Sequence, residues 1–167
     1  MEEPDLNATT SKPAETIRLL YPDGPHDAEA LLVHPMTGDL YIVIKSSERD
    51  SVYKAKAPLS TKAPIRLQHI ADLRLPEGSF LTMVVGRVTG GDISPNGRKV
   101  ILCDYDRGWE AVAPNGDFDG VWKARWQMVD LGSRPQGEAV AYRNDGKAVL
   151  ATSEGEEFPL VEAVLSR

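Results

Sequence analysis

One hairpin plan occurs three times in this chain, and that repetition limits the fold more than any other feature. The segments are Glu29-Ala-Leu-Leu-Val-His-Pro-Met-Thr-Gly-Asp-Leu-Tyr-Ile-Val, Thr89-Gly-Gly-Asp-Ile-Ser-Pro-Asn-Gly-Arg-Lys-Val-Ile-Leu and Glu138-Ala-Val-Ala-Tyr-Arg-Asn-Asp-Gly-Lys-Ala-Val-Leu. Each reads as a short strand, a turn ending in glycine, and a second, more apolar strand. The turn glycines Gly38, Gly97 and Gly146 stand 59 and 49 residues apart. Asn-Gly and Asp-Gly supply the positive φ of tight hairpins. A third strand follows each hairpin, at Ser51-Val-Tyr-Lys-Ala, Trp109-Glu-Ala-Val-Ala and Leu160-Val-Glu-Ala-Val. An amphipathic edge segment precedes each one, at Thr16-Ile-Arg-Leu-Leu-Tyr, Ile65-Arg-Leu-Gln-His-Ile-Ala-Asp-Leu and Trp126-Gln-Met-Val-Asp-Leu. Four strands per unit at a period near fifty residues predict β-propeller blades.

The remaining sequence agrees with an all-β chain. Residues 1–14 are polar, contain two prolines, and read as a disordered N-terminal arm. From residue 15 to 167, strand-like runs alternate with turn signals such as Pro22-Asp-Gly-Pro25, and three blades are expected over 27–75, 88–131 and 136–165. Further runs include Glu15–Tyr21, Pro64–Leu75 and Thr82–Val88. Only Gly120–Met128 suggests a helical turn. Closed propellers carry four to eight blades, whereas three blades and one leading outer strand are countable here. An incomplete arc would leave apolar sheet faces bare. Its partners are then the missing blades of a longer chain, or copies that self-associate, with two arcs making a six-bladed ring. In a third arrangement Glu15–Tyr21 completes the last blade beside Leu160–Leu165, closing a small strained ring.

Charge and composition exclude several function classes. The 167 residues carry 25 acidic and 19 basic side chains, a formal net charge of −6. With no basic cluster, no nucleic-acid partner is expected. No apolar run is long enough for a membrane-inserted helix. The opening Met-Glu-Glu-Pro-Asp lacks the basic and apolar regions of a signal peptide. The chain as written reads as cytoplasmic, with export open to a longer parent. The single cysteine, Cys103, forms no intrachain disulfide and reads as a small buried hydrophobe.

The segment Ser94-Pro-Asn-Gly-Arg-Lys-Val resembles the Ser-Pro-Asp-Gly-Arg hairpin of bacterial WD40-like β-propellers. Asp27-Ala-Glu-Ala-Leu, Val88-Thr-Gly-Gly-Asp-Ile-Ser-Pro, Gln136-Gly-Glu-Ala-Val-Ala-Tyr and Thr152-Ser-Glu-Gly are similar to uncharacterised bacterial propellers grouped with phytase-like and esterase-like propellers. The likeness runs from about residue 15 to the end. It implies blade architecture and, as an alternative function, a calcium-dependent phosphoester or ester hydrolase.

Candidate site residues follow from where inner strands begin, because those ends converge on a propeller's central channel. Glu29 and Glu138 occupy the same place relative to their turn glycines, and Asp92 lies three residues beyond the equivalent Thr89. Converging carboxylates repel unless a cation or proton sits between them, and hard oxygen donors suit calcium. Asp27, Glu29, Asp92 and Glu138 are therefore the candidate metal ligands, with calcium as the one cofactor considered. The competing reading has these acids accepting backbone N–H groups from the next blade. His26, Arg87 and Arg134 are the candidate ligand-binding side chains near the same strand starts. Asn115-Gly-Asp-Phe-Asp-Gly120 imitates the opening of a calcium loop, but Trp126 stands where the bidentate Glu belongs. His34 and His69 read as structural. No Gly-x-Ser-x-Gly elbow, phosphate loop or Cys/His zinc spacing occurs. The leading expectation is a binding scaffold with an acidic channel mouth and no defined reaction, open to a small-molecule ligand.

Overall fold

A computed structural model of the chain describes residues 13–46, 49–76, 88–155, 157–158 and 160–165. The expected strand Thr82–Val88 lies, apart from Val88, outside these residues, and so does Arg87. The described residues are nearly all β, arranged as small antiparallel sheets in an open array. The first sheet contains β2 (Asp27–Val33), β3 (Leu40–Lys45), β4 (Ser51–Ala55) and β6 (Gln68–Asp72), in that order. A second holds β7 (Gly90–Ile93), β8 (Lys99–Cys103), β9 (Gly108–Val112) and β10 (Gln127–Val129). The third has three strands, β11 (Gly137–Tyr142), β12 (Ala148–Ser153) and β13 (Val161–Val164). Two short strands, β1 (Leu19–Leu20) and β5 (Ile65–Arg66), pair in parallel outside these sheets.

Local chemistry explains each unit. Val, Ile, Leu and Tyr fill β3 and β8, which pair on both sides and suit branched and aromatic side chains. The turns close at Gly38, Gly97 and Gly146, whose φ values of 75°, 67° and 66° lie in the left-handed region that a Cβ disfavours. Gly97 has a second reason to lack a side chain. A Cβ there would stand 2.7 Å from His34 Cε1, and His34 joins the first and second sheets. Its Nδ1 accepts the N–H groups of Met36 and Thr37, which leaves Nε2 to donate to Gly97 C=O at 3.1 Å.

Inner strands β2, β7 and β11 run side by side, with β7 between the other two. Their close approach depends on Gly90, where a Cβ would lie 2.7 Å from the Glu138 carbonyl oxygen. Thr89 Oγ1 donates to Gly137 C=O at 2.6 Å across the same seam. Between the first two sheets lies the main core, with Leu32, Tyr41, Val52, Val100, Leu102, Trp109, Val121 and Trp122 all buried. Two 3-10 turns, Pro114–Gly116 and Phe118–Lys123, cover that core. The second supplies a helical turn over the first part of the expected Gly120–Met128 range, whose end belongs to β10.

One expectation about the outer strands needs correction. Gln68–Asp72 and Gln127–Val129 pair backward onto β4 and β9, within the expected spans 27–75 and 88–131. The N-terminal strand does not complete the last blade. Leu19 and Leu20 pair with Ile65 and Arg66, while β13 pairs with β12 alone among the described residues. The physical reason lies in the first sheet's outward face. Leu40, Ile42, Ile44, Tyr53, Ala55 and Leu67 form an apolar layer there, and Leu19, Tyr21, Leu59 and Ile65 cover it. Covering that layer takes its leucine, isoleucine and tyrosine side chains out of water.

Candidate functional site

The carboxylates expected at a channel mouth have separate partners, although two of them occupy comparable positions. Glu29 and Glu138 both fall at β-bulges, between Ala28 and Ala30 and between Gly137 and Ala139. A bulge turns one side chain out of the strand's alternation, which accounts for two glutamates standing at equivalent strand starts. Glu29 lies 3.4 Å from Lys45 Nζ, and Lys45 also donates to Tyr105 OH at 3.2 Å. Burial pulls the Lys45 ammonium down, but Tyr105 and Glu29 together leave it above the usual lysine value. Asp27, opposite Lys45 in register, is exposed. Glu138 accepts from Gln136 Nε2 at 3.2 Å.

Asp92 links two sheets. Its Oδ2 accepts the Tyr142 N–H of the third sheet at 2.8 Å, and its Oδ1 accepts its neighbour Ile93 N–H. Burial raises the Asp92 carboxyl above its ordinary value, against the pull of those two N–H groups. Among the described residues, no group of three or more His, Cys, Asp or Glu side chains is placed to hold a metal ion. Arg134 is 4 % exposed, and its Nη2 donates to Asp104 C=O at 3.4 Å. In the Asn115–Gly120 loop, Asp117 accepts the Asp119 N–H at the start of a 3-10 turn. Asp119 accepts from Tyr41 OH at 2.7 Å and from Lys54 Nζ at 2.8 Å.

His26 belongs to a different arrangement, a cleft of about 520 Å³ on the first sheet. Its lining includes Asp23, His26, Arg49, Ser51, Tyr53, His69 and Asp72. The turn at Pro22-Asp-Gly-Pro25 brings Asp23 and His26 together, with Gly24 at a φ of 112°. Tyr53 donates its hydroxyl to Asp23 Oδ2 at 2.7 Å, and His26 Nε2 stands 2.9 Å from Asp23 Oδ1. Asp23 is held below the usual carboxylate range, first by Tyr53 and then by His26. An ionised carboxylate only accepts, so His26 Nε2 carries the proton.

Strand pairing builds the other half of the cleft. Register sets Tyr53 opposite His69 and Ser51 opposite Asp72. Ser51 Oγ donates to Asp72 Oδ1 at 2.9 Å, and His69 Nε2 meets the same oxygen at 2.9 Å. Arg49 approaches Asp72 Oδ2 at 3.6 Å. The Ser51 hydrogen bond, followed by His69, lowers the Asp72 carboxyl. Tyr53 thus sits between two His–Asp pairs, its ring centroid 5.3 Å from each imidazole, with Tyr21 edge-on at 4.9 Å. Burial, then Asp23, raises the Tyr53 hydroxyl far above its ordinary value, so it stays a neutral donor.

This geometry suits binding better than nucleophilic attack. Ser51 spends its proton on Asp72, not on a histidine, so the serine–histidine pair of an activated nucleophile is not formed among the described residues. The cleft instead offers aromatic edges, imidazoles and carboxylate lone pairs, which suit a polar, hydroxyl-bearing molecule. Of its residues, sequence analysis singled out His26 alone. His69 read as structural, and the His69-x-x-Asp72 spacing was the one available hint.

No family model and no curated protein matches this chain. Solved structures do. A putative 6-phosphogluconolactonase from Bacteroides uniformis aligns with a TM-score of 0.57 at 13% identity, over 93% of this chain and 44% of that one. TolB from Acinetobacter baumannii aligns at 0.54 and 14%, over 85% of this chain and 31% of that one. A nidogen/laminin complex aligns at 0.54 and 14%, over 82% and 44%. The chain therefore spans less than half the length of these structures, and the likeness establishes a β-propeller-like fold.

Proposed function

We propose that the chain is a binding scaffold of the β-propeller type, and that the cleft around Tyr53 takes a small, uncharged, hydroxyl-rich molecule. The single observation that carries this reading is the pair of His–Asp units fixed on either side of Tyr53 by turn and strand register. Both carboxylates are held ionised, and each retains lone pairs able to accept ligand hydroxyls. Preassembled polar groups avoid the ordering cost that weakens a flexible site.

The test is ligand-observed NMR with glucose, galactose and glycerol as probes, on the wild-type chain and on His69→Ala and Tyr53→Phe. Saturation transfer to at least one sugar, reduced in both variants, is expected. No transfer to any probe, or transfer that both variants preserve, overturns the assignment.

A further inference from the structure

We propose that Asn115 is a site of spontaneous covalent modification, at which the side chain cyclises onto the Gly116 nitrogen and reopens as aspartate or isoaspartate. The chain contains two Asn-Gly pairs, Asn96-Gly97 and Asn115-Gly116. Glycine at the second position lets its nitrogen approach the asparagine side chain without a Cβ in the way. As sequence the two pairs are equivalent, and the fold separates them.

At Asn96 both reacting groups are held. Its Oδ1 accepts from Ser94 Oγ at 2.9 Å and from Arg98 N–H at 3.0 Å. The Gly97 N–H donates to Ser94 C=O at 2.8 Å. Gly97 is buried, and a Cβ on it would stand 2.7 Å from His34 Cε1 and 3.3 Å from Met36 Cγ. Cyclisation there must break these hydrogen bonds and push aside the imidazole that joins the first two sheets.

Asn115 is exposed in the Pro114–Gly116 turn, at a φ of 51° and a ψ of 24°. Its carboxamide makes no hydrogen bond with the described residues. Around Gly116 no atom lies within 4 Å of where a Cβ would stand, so the ring has room to form. The left-handed region is costly for a residue with a Cβ, and rotation out of it meets less resistance than rotation out of a relaxed turn. What gives way is the bond from Asp117 N–H to Pro114 C=O at 2.9 Å.

The Gly116 nitrogen, after losing its proton to hydroxide, attacks Asn115 Cγ. The N–Cγ bond forms, the Cγ–Nδ2 bond breaks, and ammonia leaves with a proton taken from water. Water then opens the cyclic imide. Cleavage of the N–Cγ bond gives aspartate, and cleavage at the main-chain carbonyl gives isoaspartate, whose extra methylene lengthens the backbone. Either product adds a carboxylate to a turn that already carries Asp117 and Asp119. Asp119 is the acceptor for Tyr41 OH and Lys54 Nζ, so the change falls beside the contact between the 3-10 cover and the first sheet.

Peptide mapping by mass spectrometry, after incubation of the full chain in mildly alkaline buffer, reads both sites at once. The same incubation in guanidinium supplies each site's unfolded rate, by which its folded rate is divided. Asn115 is expected to react at least about tenfold faster than Asn96 on that scale. Asn115→Gln, whose side chain would have to close a larger ring, should remove most of the ammonia released. Any smaller ratio, or faster loss at Asn96, overturns the proposal. So does ammonia release that Asn115→Gln leaves unchanged.

Discussion

The first and third sheets share a hairpin plan and differ in what covers them. On the first, an apolar layer around Ile42, Tyr53 and Leu67 is roofed by the segment holding Leu19 and Tyr21. On the third, one face packs Val140, Tyr142, Val149 and Ala151 against Ile101 and Leu131, while Ala139, Ala141 and Val164 look outward and stay exposed. The same backbone geometry therefore becomes a two-sided core in one place and a one-sided sheet in the other. Side chains show which outcome each segment suits. Alanine and threonine cost little when exposed, whereas a bare layer of leucine, isoleucine and tyrosine would demand cover.

The largest effect is expected in the core that the first sheet shares with the second, which the third sheet's open face lacks. Trp109→Ala on β9 removes a side chain 3 % exposed and should cost about 3–5 kcal/mol by urea unfolding. A loss below about 1 kcal/mol would mean that the core between the first two sheets does not enclose it. Next in size is Gly90→Ala. Its Cβ would crowd the Glu138 carbonyl, so the β7–β11 seam must open, at a cost of about 1–3 kcal/mol in the same assay. Asp92→Ala deletes the acceptor for Tyr142 N–H and should destabilise by about 1–2 kcal/mol. An unchanged midpoint would show that the seam holds without that bond.

The cleft adds a pH test confined to the first sheet. Asp72 is lowered in the folded chain, so its contribution is complete above the unfolded carboxylate value and is lost as pH falls through the lowered one. Melting temperatures should fall less steeply for Asp72→Asn than for wild type between about pH 5 and about pH 2. Parallel curves would mean that Asp72 titrates alike folded and unfolded. The smallest effect belongs to the third sheet. Val164→Ala should change monomer stability by less than about 0.5 kcal/mol, and a larger loss would reveal cover that the exposed side chain does not suggest.

Much of this architecture could be read from the residues. Turn glycines at positive φ and the apolar run after each one located β2–β3, β7–β8 and β11–β12. Aligning those glycines also put Glu29 and Glu138 in register before their bulges were visible. The outer strands were less legible. A short amphipathic segment such as Gln68–Asp72 can pair forward or backward, and its side chains do not encode the choice. The cleft was hidden for a related reason. Asp23, Tyr53 and Asp72 come from a turn and two strands, and they meet only through register and a crossing of the chain. Within one segment, each has an ordinary explanation as a turn former, a core aromatic or a strand-end acid.

The roof over the first sheet also decides how far assembly could go. A protein with a bare sheet at both ends can add copies head to tail without limit, and such contacts lead to fibres unless the rotation happens to close. Leu19 and Tyr21 remove one of those ends within the monomer. Stacking of another sheet face on that end would first have to lift this roof and return its leucines and tyrosine to water.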